Sequence, residues 1–292
     1  MIRTARSMTL ATAVLFLLVG VHLLQVQLDV QRAVTPKLQR FMYLPQGEYL
    51  RGAVLGYEQV VADFLWIQAI QAMGERKVTE EAGHWIYRAL EVITTLDPKF
   101  VRVYEAGGIA LVTLVVLVEE SNRILEKGIQ HNPDYWALPW LLGFNYYFEL
   151  HDDAKAADYI ARASRLPGAP DYLAGFATRL YVSARESQVA IDFLAQMYEQ
   201  TTDENVKQIL ERRLKEVVVE RDLQLLEEAI SRYRALYKRV PERLEDLVGT
   251  GLLRELPREP FGGHYLYDPQ TQAVRSSEMK ERLKVYEKRR PR

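Results

Sequence analysis

Hydrophobic and polar positions divide the chain into stretches of different period. Residues 8–28 contain no Asp, Glu, Lys or Arg. At about 1.5 Å per residue this run reaches across the roughly 30 Å hydrocarbon core of a bilayer. Residues 29–56 are mixed and punctuated by Pro36, Pro45, Gly47 and Gly52, which predicts a membrane-proximal linker with short helical pieces. A helical period then takes over. Tyr57, Val60, Val61, Phe64, Leu65 and Gln68 recur at helical steps and predict a helix with one apolar face that ends near Gly74. Asp63 is placed on its solvent side.

Further helices are predicted over 84–96, stopping at Asp97-Pro98, and over 101–118 and 121–130, stopping at Asn132-Pro133. Two more, over 136–150 and 153–166, stop in the turn Pro167-Gly168-Ala169-Pro170. Proline restricts the residue before it and cannot continue a helix, so these positions are physical stops. The uncharged run 106–118 spans only about 20 Å as a helix, too short to cross a bilayer, and reads as buried core. Residues 203–238 predict one long helix with Val206, Ile209, Leu210, Leu214, Val217 and Val218 on a stripe. Its alternating charges read as a solvated outer face. A short helix at 241–248 and a hairpin pairing Tyr265-Leu266-Tyr267 with Ala273-Val274-Arg275 close the fold.

The apolar N-terminal run has two readings, a retained anchor or a cleaved signal peptide. Cleavage wants small residues in an A-x-A-like arrangement. Residues 22–34 offer only Ala33, with Gln31 two positions before it, which favours the anchor. The positive-inside count is nearly balanced, with Arg3 and Arg6 before the run and Arg32, Lys37 and Arg40 after it. A short tail before a signal-like segment places the body outside the cytoplasm, in the periplasm of a two-membrane cell. The expected location is the cytoplasmic (inner) membrane.

The terminating prolines Pro98, Pro133 and Pro170 recur at intervals of 35 and 37 residues. Within the units, Gly108 is followed at 13, 17 and 20 residues by Ser121, Leu125 and Gly128, and Gly143 by Ala156, Ile160 and Ala163. Small residues let paired helices approach, and large ones fill the gaps. Trp140, Gly143 and Tyr146 add a W-x-x-G-x-x-Y core. These residues resemble the tetratricopeptide-repeat family, whose helix–turn–helix unit has a period of about 34 residues and closes on proline. The chain departs from that pattern by one extra residue between the glycine and the second helix. The earlier unit has Tyr104 near the position of the missing Trp, and Ser121 where Ala is usual. Degenerate units flank the two recognisable ones. The resemblance implies an all-α fold, a TPR-like α-solenoid, here with an N-terminal transmembrane helix and a small C-terminal β-hairpin cap. The expected organisation is tail and anchor 1–28, linker 29–56, repeats 57–202, long helix 203–240, cap 241–278 and basic tail 279–292.

The stretch Pro241 to Asp268, with its Leu247-Val248, Gly251-Leu252-Leu253 and Pro260-Phe261-Gly262-Gly263 blocks, resembles the end of the soluble domain in type II secretion major pseudopilins. That resemblance implies a packing motif and a secretion or pilus context. Packed as a cap, the block would bury Phe261 and Tyr265. The last residues carry seven basic side chains between Lys280 and Arg292, a solvated tail or one that meets anionic lipid.

Composition narrows the chemistry. A net charge of −1 gives no bias towards nucleic acid. The absence of cysteine removes disulfides, thiolate metal sites and cysteine nucleophiles. His22, His84, His131, His151 and His264 make no metal-ligand spacing. His151-Asp152-Asp153 falls in a turn where Asp152 is a ready N-cap. No phosphate-cradling glycine motif and no G-x-S-x-G elbow occurs. Gly262-Gly263 is read as a turn needing positive φ rather than an oxyanion nest. No catalytic, cofactor or metal residue is therefore assigned, and no small-molecule substrate is expected.

The expected activity is protein–protein interaction at the cell envelope, by a bacterial-type scaffold that serves secretion or envelope assembly. The alternative is a structural subunit of a pilus-, secretion- or transporter-type complex. That alternative lacks the basic leader ending in Gly that prepilin processing requires. The aromatic stripe Trp136, Trp140, Phe144, Tyr147 and Phe148 is the densest on the chain. First helices of tetratricopeptide repeats line a concave groove, so the resemblance implies partner proteins or peptides held by Arg102, Glu105, Trp140, Asn145, Tyr147 and Phe148. In clamp-type members Asn and Lys from successive repeats grip a terminal carboxylate. Asn145 fits that role, but Ile109 and Ala110 stand at the equivalent place one repeat earlier.

Overall fold

The computed structural model describes residues 17–26 and 44–283. These residues are mostly helical, with one two-stranded antiparallel sheet among them. Residues 17–26 are helical (α1). There follow α2 (Gly47–Ala53), α3 (Glu58–Met73), α4 (Glu80–Leu96), α5 (Val101–Val115), α6 (Val118–His131), α7 (Ala137–Phe148), α8 (Asp153–Ser164), α9 (Tyr172–Ser183), α10 (Ser187–Gln200), α11 (Glu204–Tyr237) and α12 (Glu245–Gly249). Strands β1 (Tyr265–Asp268) and β2 (Ala273–Ser276) end the described fold. Among the described residues no helix is long and apolar enough to cross a membrane. The rest of the predicted span 8–28, linker residues 29–43 and tail residues 284–292 lie outside the described residues. The chain forms two compact units, divided between Leu117 and Val118.

In the first unit α4 is the central element. Its N-cap Thr79 accepts a hydrogen bond from the Ala82 N–H, which satisfies one of the orphan donors of a helix start. α3 packs on α4 and buries Ala62, Leu65, Ala69 and Ala72. α5 packs on α4 where glycines permit it. A Cβ added at Gly107 would lie 2.6 Å from Leu90 Cδ1, and one at Gly83 2.8 Å from Val115 Cγ2. The run 106–118 is core only in part: Gly107, Gly108, Ala110 and Leu111 are buried, whereas Ile109, Leu114 and Val116 are 42–68% exposed. A short helical piece expected in the linker is α2, which docks on α4. Gly47 fits against Thr95 so closely that a Cβ would lie 2.6 Å away, and Arg51 donates to the Thr95 carbonyl. The predicted apolar face of α3 is a correction. Leu65 is buried, but Tyr57, Val60 and Phe64 are 60–67% exposed.

In the second unit α7 packs against both α6 and α8, α8 against α9, and α10 and α9 against α11. The close approach expected at Gly143 is present, since a Cβ there would lie 2.7 Å from Ile160 Cγ1 and 3.1 Å from the Ala156 carbonyl. The 13, 17, 20 spacing also recurs in the flanking pairs, from Ala69 to Ala82, Ile86 and Ala89, and from Ala177 to Ala190, Leu194 and Met197. The positions in all four sets are buried, save for a half-buried Met197. The connections repeat as well. Val116, His151 and Arg185, again 35 and 34 residues apart, adopt left-handed φ values of 58°, 55° and 60°. The predicted helix 101–118 therefore breaks at Val116, and Val118 begins α6.

The C-terminal block packs on the second half of α11. Leu223, Leu226, Ile230 and Tyr233 share a core with Leu244, Leu247, Leu253 and Val274. Tyr265 joins this core at its edge, whereas Phe261 is 39% exposed, contrary to expectation. The charges of α11 are not all solvated either. Glu220 and Asp222 are buried. Arg282 donates from Nε to both Glu220 oxygens at 3.0 and 3.1 Å and also reaches Glu227, which pushes its guanidinium pKa still higher. Arg282 is thus tied to α11 rather than free in the tail. Asp222 accepts from Arg221 and from the Tyr265 hydroxyl at 2.9 Å.

Candidate functional site

α7 carries more apolar side chain than its neighbours can cover. Leu138, Leu141 and Leu142 are buried, as are Asn145 and Tyr147. The remaining side, stepping by four residues, is Trp136, Trp140, Phe144 and Phe148. Residues at i and i+4 lie on one face of a helix, and here their rings form a continuous row. Centroids are 6.0 Å apart for Trp136–Trp140, 5.8 Å for Trp140–Phe144 and 4.2 Å for Phe144–Phe148, all tilted. Aromatic pairs favour such offset geometry over face-to-face stacking. Both tryptophans are half-buried, whereas Phe144 is 39% and Phe148 43% exposed. Exposed phenylalanine in an ordered row is unusual for a face with no task.

Two of the predicted contact residues are turned inward. Asn145 is buried and its Nδ2 donates to Ser121 Oγ and Asn122 Oδ1 of α6, each at 2.9 Å. It holds α6 to α7 and is not presented to a ligand. Tyr147 is 4% exposed and meets Phe176 of α9 edge-on, with centroids 5.5 Å apart. Burial, and then the charge of Asp153, raise its phenol pKa. Trp140 and Phe148 lie on the open row. Arg102 and Glu105 belong to α5 in the first unit, where they pair with each other at 2.9 Å; the Arg102 side chain is exposed and Glu105 largely covered. Phe144, part of the predicted stripe but not of the predicted contact set, is the residue that joins Trp140 to Phe148.

The row gains meaning from the next repeat. Adding 34 to Phe144 and Phe148 gives Thr178 and Val182 on α9, and both are 2% exposed. There α11 packs against α9, Gln224 Nε2 donates to the Val182 carbonyl at 3.2 Å, and Ser187 Oγ donates to Gln224 Oε1. The equivalent face of α7 carries larger and more apolar side chains, and it stays open.

A cleft of about 500 Å³ in the C-terminal block is lined by Leu226, Leu244, Pro257, Glu259, His264 and Tyr265 among others. Its buried carboxylate is already engaged. Glu259 Oε2 accepts from the Phe261 and Gly263 N–H groups at 2.8 and 3.0 Å, and Oε1 accepts from Ser276 Oγ. The two glycines therefore fold around this chain's own side chain, with Gly262 at φ 93°. His151 likewise sits in a turn, beside the N-cap Asp152, which accepts from the Lys155 N–H at 3.0 Å. Comparison with protein-family models, with curated proteins and with solved structures returns no match for the chain.

Proposed function

We propose that the chain is a membrane-anchored, TPR-like α-solenoid scaffold that holds a segment of a partner protein on the aromatic row of α7. The observation that carries this reading is the row Trp136–Trp140–Phe144–Phe148, whose two phenylalanines stay exposed where the equivalent positions of α9 are buried beside α11. Tryptophan and phenylalanine bring a large apolar area with little rotamer entropy to lose, which suits the centre of an interface. The recurring 13, 17, 20 spacing and the recurring left-handed turn residues support the repeat reading. The anchor is supported by α1, whose Leu17, Leu18, Val19, Val21, Leu23, Leu24 and Val26 are 48–69% exposed around the whole helix. A helix apolar on every side belongs in a protein core or in lipid. The body then stands outside the cytoplasm, at the inner membrane, and the partner is a protein of the same envelope.

The test uses the full-length protein in its native membrane, crosslinked and then recovered with its partner. Phe144→Ser with Phe148→Ser is expected to abolish recovery and to leave the helical circular-dichroism signal unchanged. Ile209→Ser, at an exposed position on α11, serves as the control and retains the partner. Unchanged recovery with the folded double variant would move the interface off α7.

A further inference from the structure

We infer that the outer face of α3 lies on the lipid surface of the membrane that anchors the chain, an inference that rests on the anchor reading above. α3 is apolar on two opposite sides. The inner side, Ala62, Leu65, Ala69 and Ala72, is buried against α4. The outer side is Val60, Phe64, Ile67 and Ile70, which are 62, 60, 55 and 48% exposed, with Tyr57 at 67% leading into it. These residues step by three or four and make one stripe down a helix about 24 Å long. Their exposed area is roughly 600 Å², at the upper end for the largest apolar patch of a typical monomer. Leu55 and Tyr49, in and before the turn into α3, are 85 and 74% exposed and extend the patch.

Three features favour lipid over a protein partner. The stripe is aliphatic and aromatic, with Asp63 as the charged side chain exposed within it and Glu58 half-buried at its start. It thus offers shape and hydrophobicity but little of the polar detail that specifies a protein. A helix with one apolar face free is suited to lie in the plane of the lipid–water boundary, its apolar side sunk about 5–10 Å. Here the opposite face is held by α4 instead of water. Finally, only residues 27–43 separate α1 from the described start of the first unit, a reach of at most about 60 Å even fully extended. A chain anchored through α1 keeps α3 permanently near one bilayer, so the contact forms within a single molecule and needs little intrinsic affinity. The basic side chains Arg76 and Lys77, exposed just beyond the C-terminal end of α3, are placed to meet headgroups.

The natural absence of cysteine allows a direct test. Val60→Cys, Phe64→Cys and Ile67→Cys are labelled one at a time with a nitroxide in the full-length protein. Each is reconstituted in phosphatidylcholine–phosphatidylglycerol vesicles, with Leu23→Cys and Ile209→Cys as references. The ratio of relaxation by oxygen to relaxation by an aqueous nickel chelate reports depth. The labels on α3 are expected to show a ratio several-fold above that at position 209 and on the side of position 23. Chelate access at 60, 64 and 67 with a lipid-like signal at 23 would overturn the inference while leaving the anchor standing. Chelate access at 23 would remove the anchor and the inference with it. Shielding of position 64 from both reagents, with dipolar broadening between labels, would assign the face to a second copy and also overturn it.

Discussion

Gly143 is the residue whose replacement tests the repeat packing most directly. It lies in mid-helix on α7, where alanine is intrinsically better than glycine by about 0.8–1.0 kcal/mol. On propensity alone Gly143→Ala would stabilise. The geometry predicts the opposite. The new Cβ would lie 2.7 Å from Ile160 Cγ1, 3.3 Å from Ile160 Cδ1 and 3.1 Å from the Ala156 carbonyl oxygen. The isoleucine is fully buried and the carbonyl belongs to the α8 backbone, so neither can retreat without moving a helix. Overpacking of this kind costs about 1–3 kcal/mol. Against the propensity gain, a net loss of up to about 2 kcal/mol is expected, read as a lower urea midpoint by tryptophan fluorescence. In an Ile160→Ala background the clash with the side chain disappears, and the same substitution should become neutral or favourable, a coupling of about 1–2 kcal/mol. Gly52→Ala is the control. It adds a methyl to exposed α2 with nothing within 4 Å and should stabilise by about 0.5–1 kcal/mol. If Gly143→Ala stabilised the fold as Gly52→Ala does, close contact between α7 and α8 would not be what the glycine provides.

Removing Arg282 should unseat the end of the described chain from α11. Arg282→Ala leaves the carboxylate of Glu220, whose side chain is 4% exposed, buried without its cation, at a cost of about 2 kcal/mol once the partial exposure of the arginine is discounted; an unchanged denaturation midpoint would refute the pairing. The second expectation concerns alkaline pH. The Tyr181 and Tyr265 hydroxyls donate to Asp158 and Asp222 at 2.8 and 2.9 Å, and burial first, then these carboxylates, push both phenols above their ordinary range. Their folded-state values exceed the unfolded one, so the stability they contribute is full below about pH 10 and is lost as pH rises towards the folded values. The denaturation midpoint should therefore fall above about pH 10, and Tyr181→Phe with Tyr265→Phe should flatten that limb; an equally steep fall in the double variant would refute the assignment.

Much of the helical order was legible because prolines and small residues act locally. Pro98, Pro133 and Pro170 end helices wherever they stand, and the predicted ends lie within a few residues of those of α4, α6 and α8. The turn inside each repeat was harder to see. Its left-handed residue is Val116, His151 or Arg185; histidine alone of these is a type enriched in that conformation, so the recurrence marks the turn better than residue identity does. The flanking repeats read as degenerate for a related reason. Ala69 and Ala177 replace the glycines, and what persists is smallness at a fixed spacing rather than a residue identity. For α3, periodicity announced a helix but not which apolar side is inside, because both sides are apolar.

The candidate site was misread where a polar residue finds its partner far along the chain. Asn145 has the chemistry of a ligand clamp, yet its hydrogen bonds go to Ser121 and Asn122, more than twenty residues earlier. Glu220 and Asp222 look solvated in any local window, yet Arg282 and Tyr265 reach them from much later in the sequence. Buried polar groups are almost always paired, so polar residues at core-facing positions of two successive helices, such as Ser121 and Asn145, are themselves a signal of a pair. Apolar residues obey a different count. A helix packed between two neighbours needs two apolar sides, and α7 has a third; α3 packs chiefly on α4 across its buried face and has an apolar side left over. The surplus, rather than the total, marks the surfaces that meet something outside the chain, and in both helices it falls on residues spaced three or four apart whose rings and branches lie open to the surroundings.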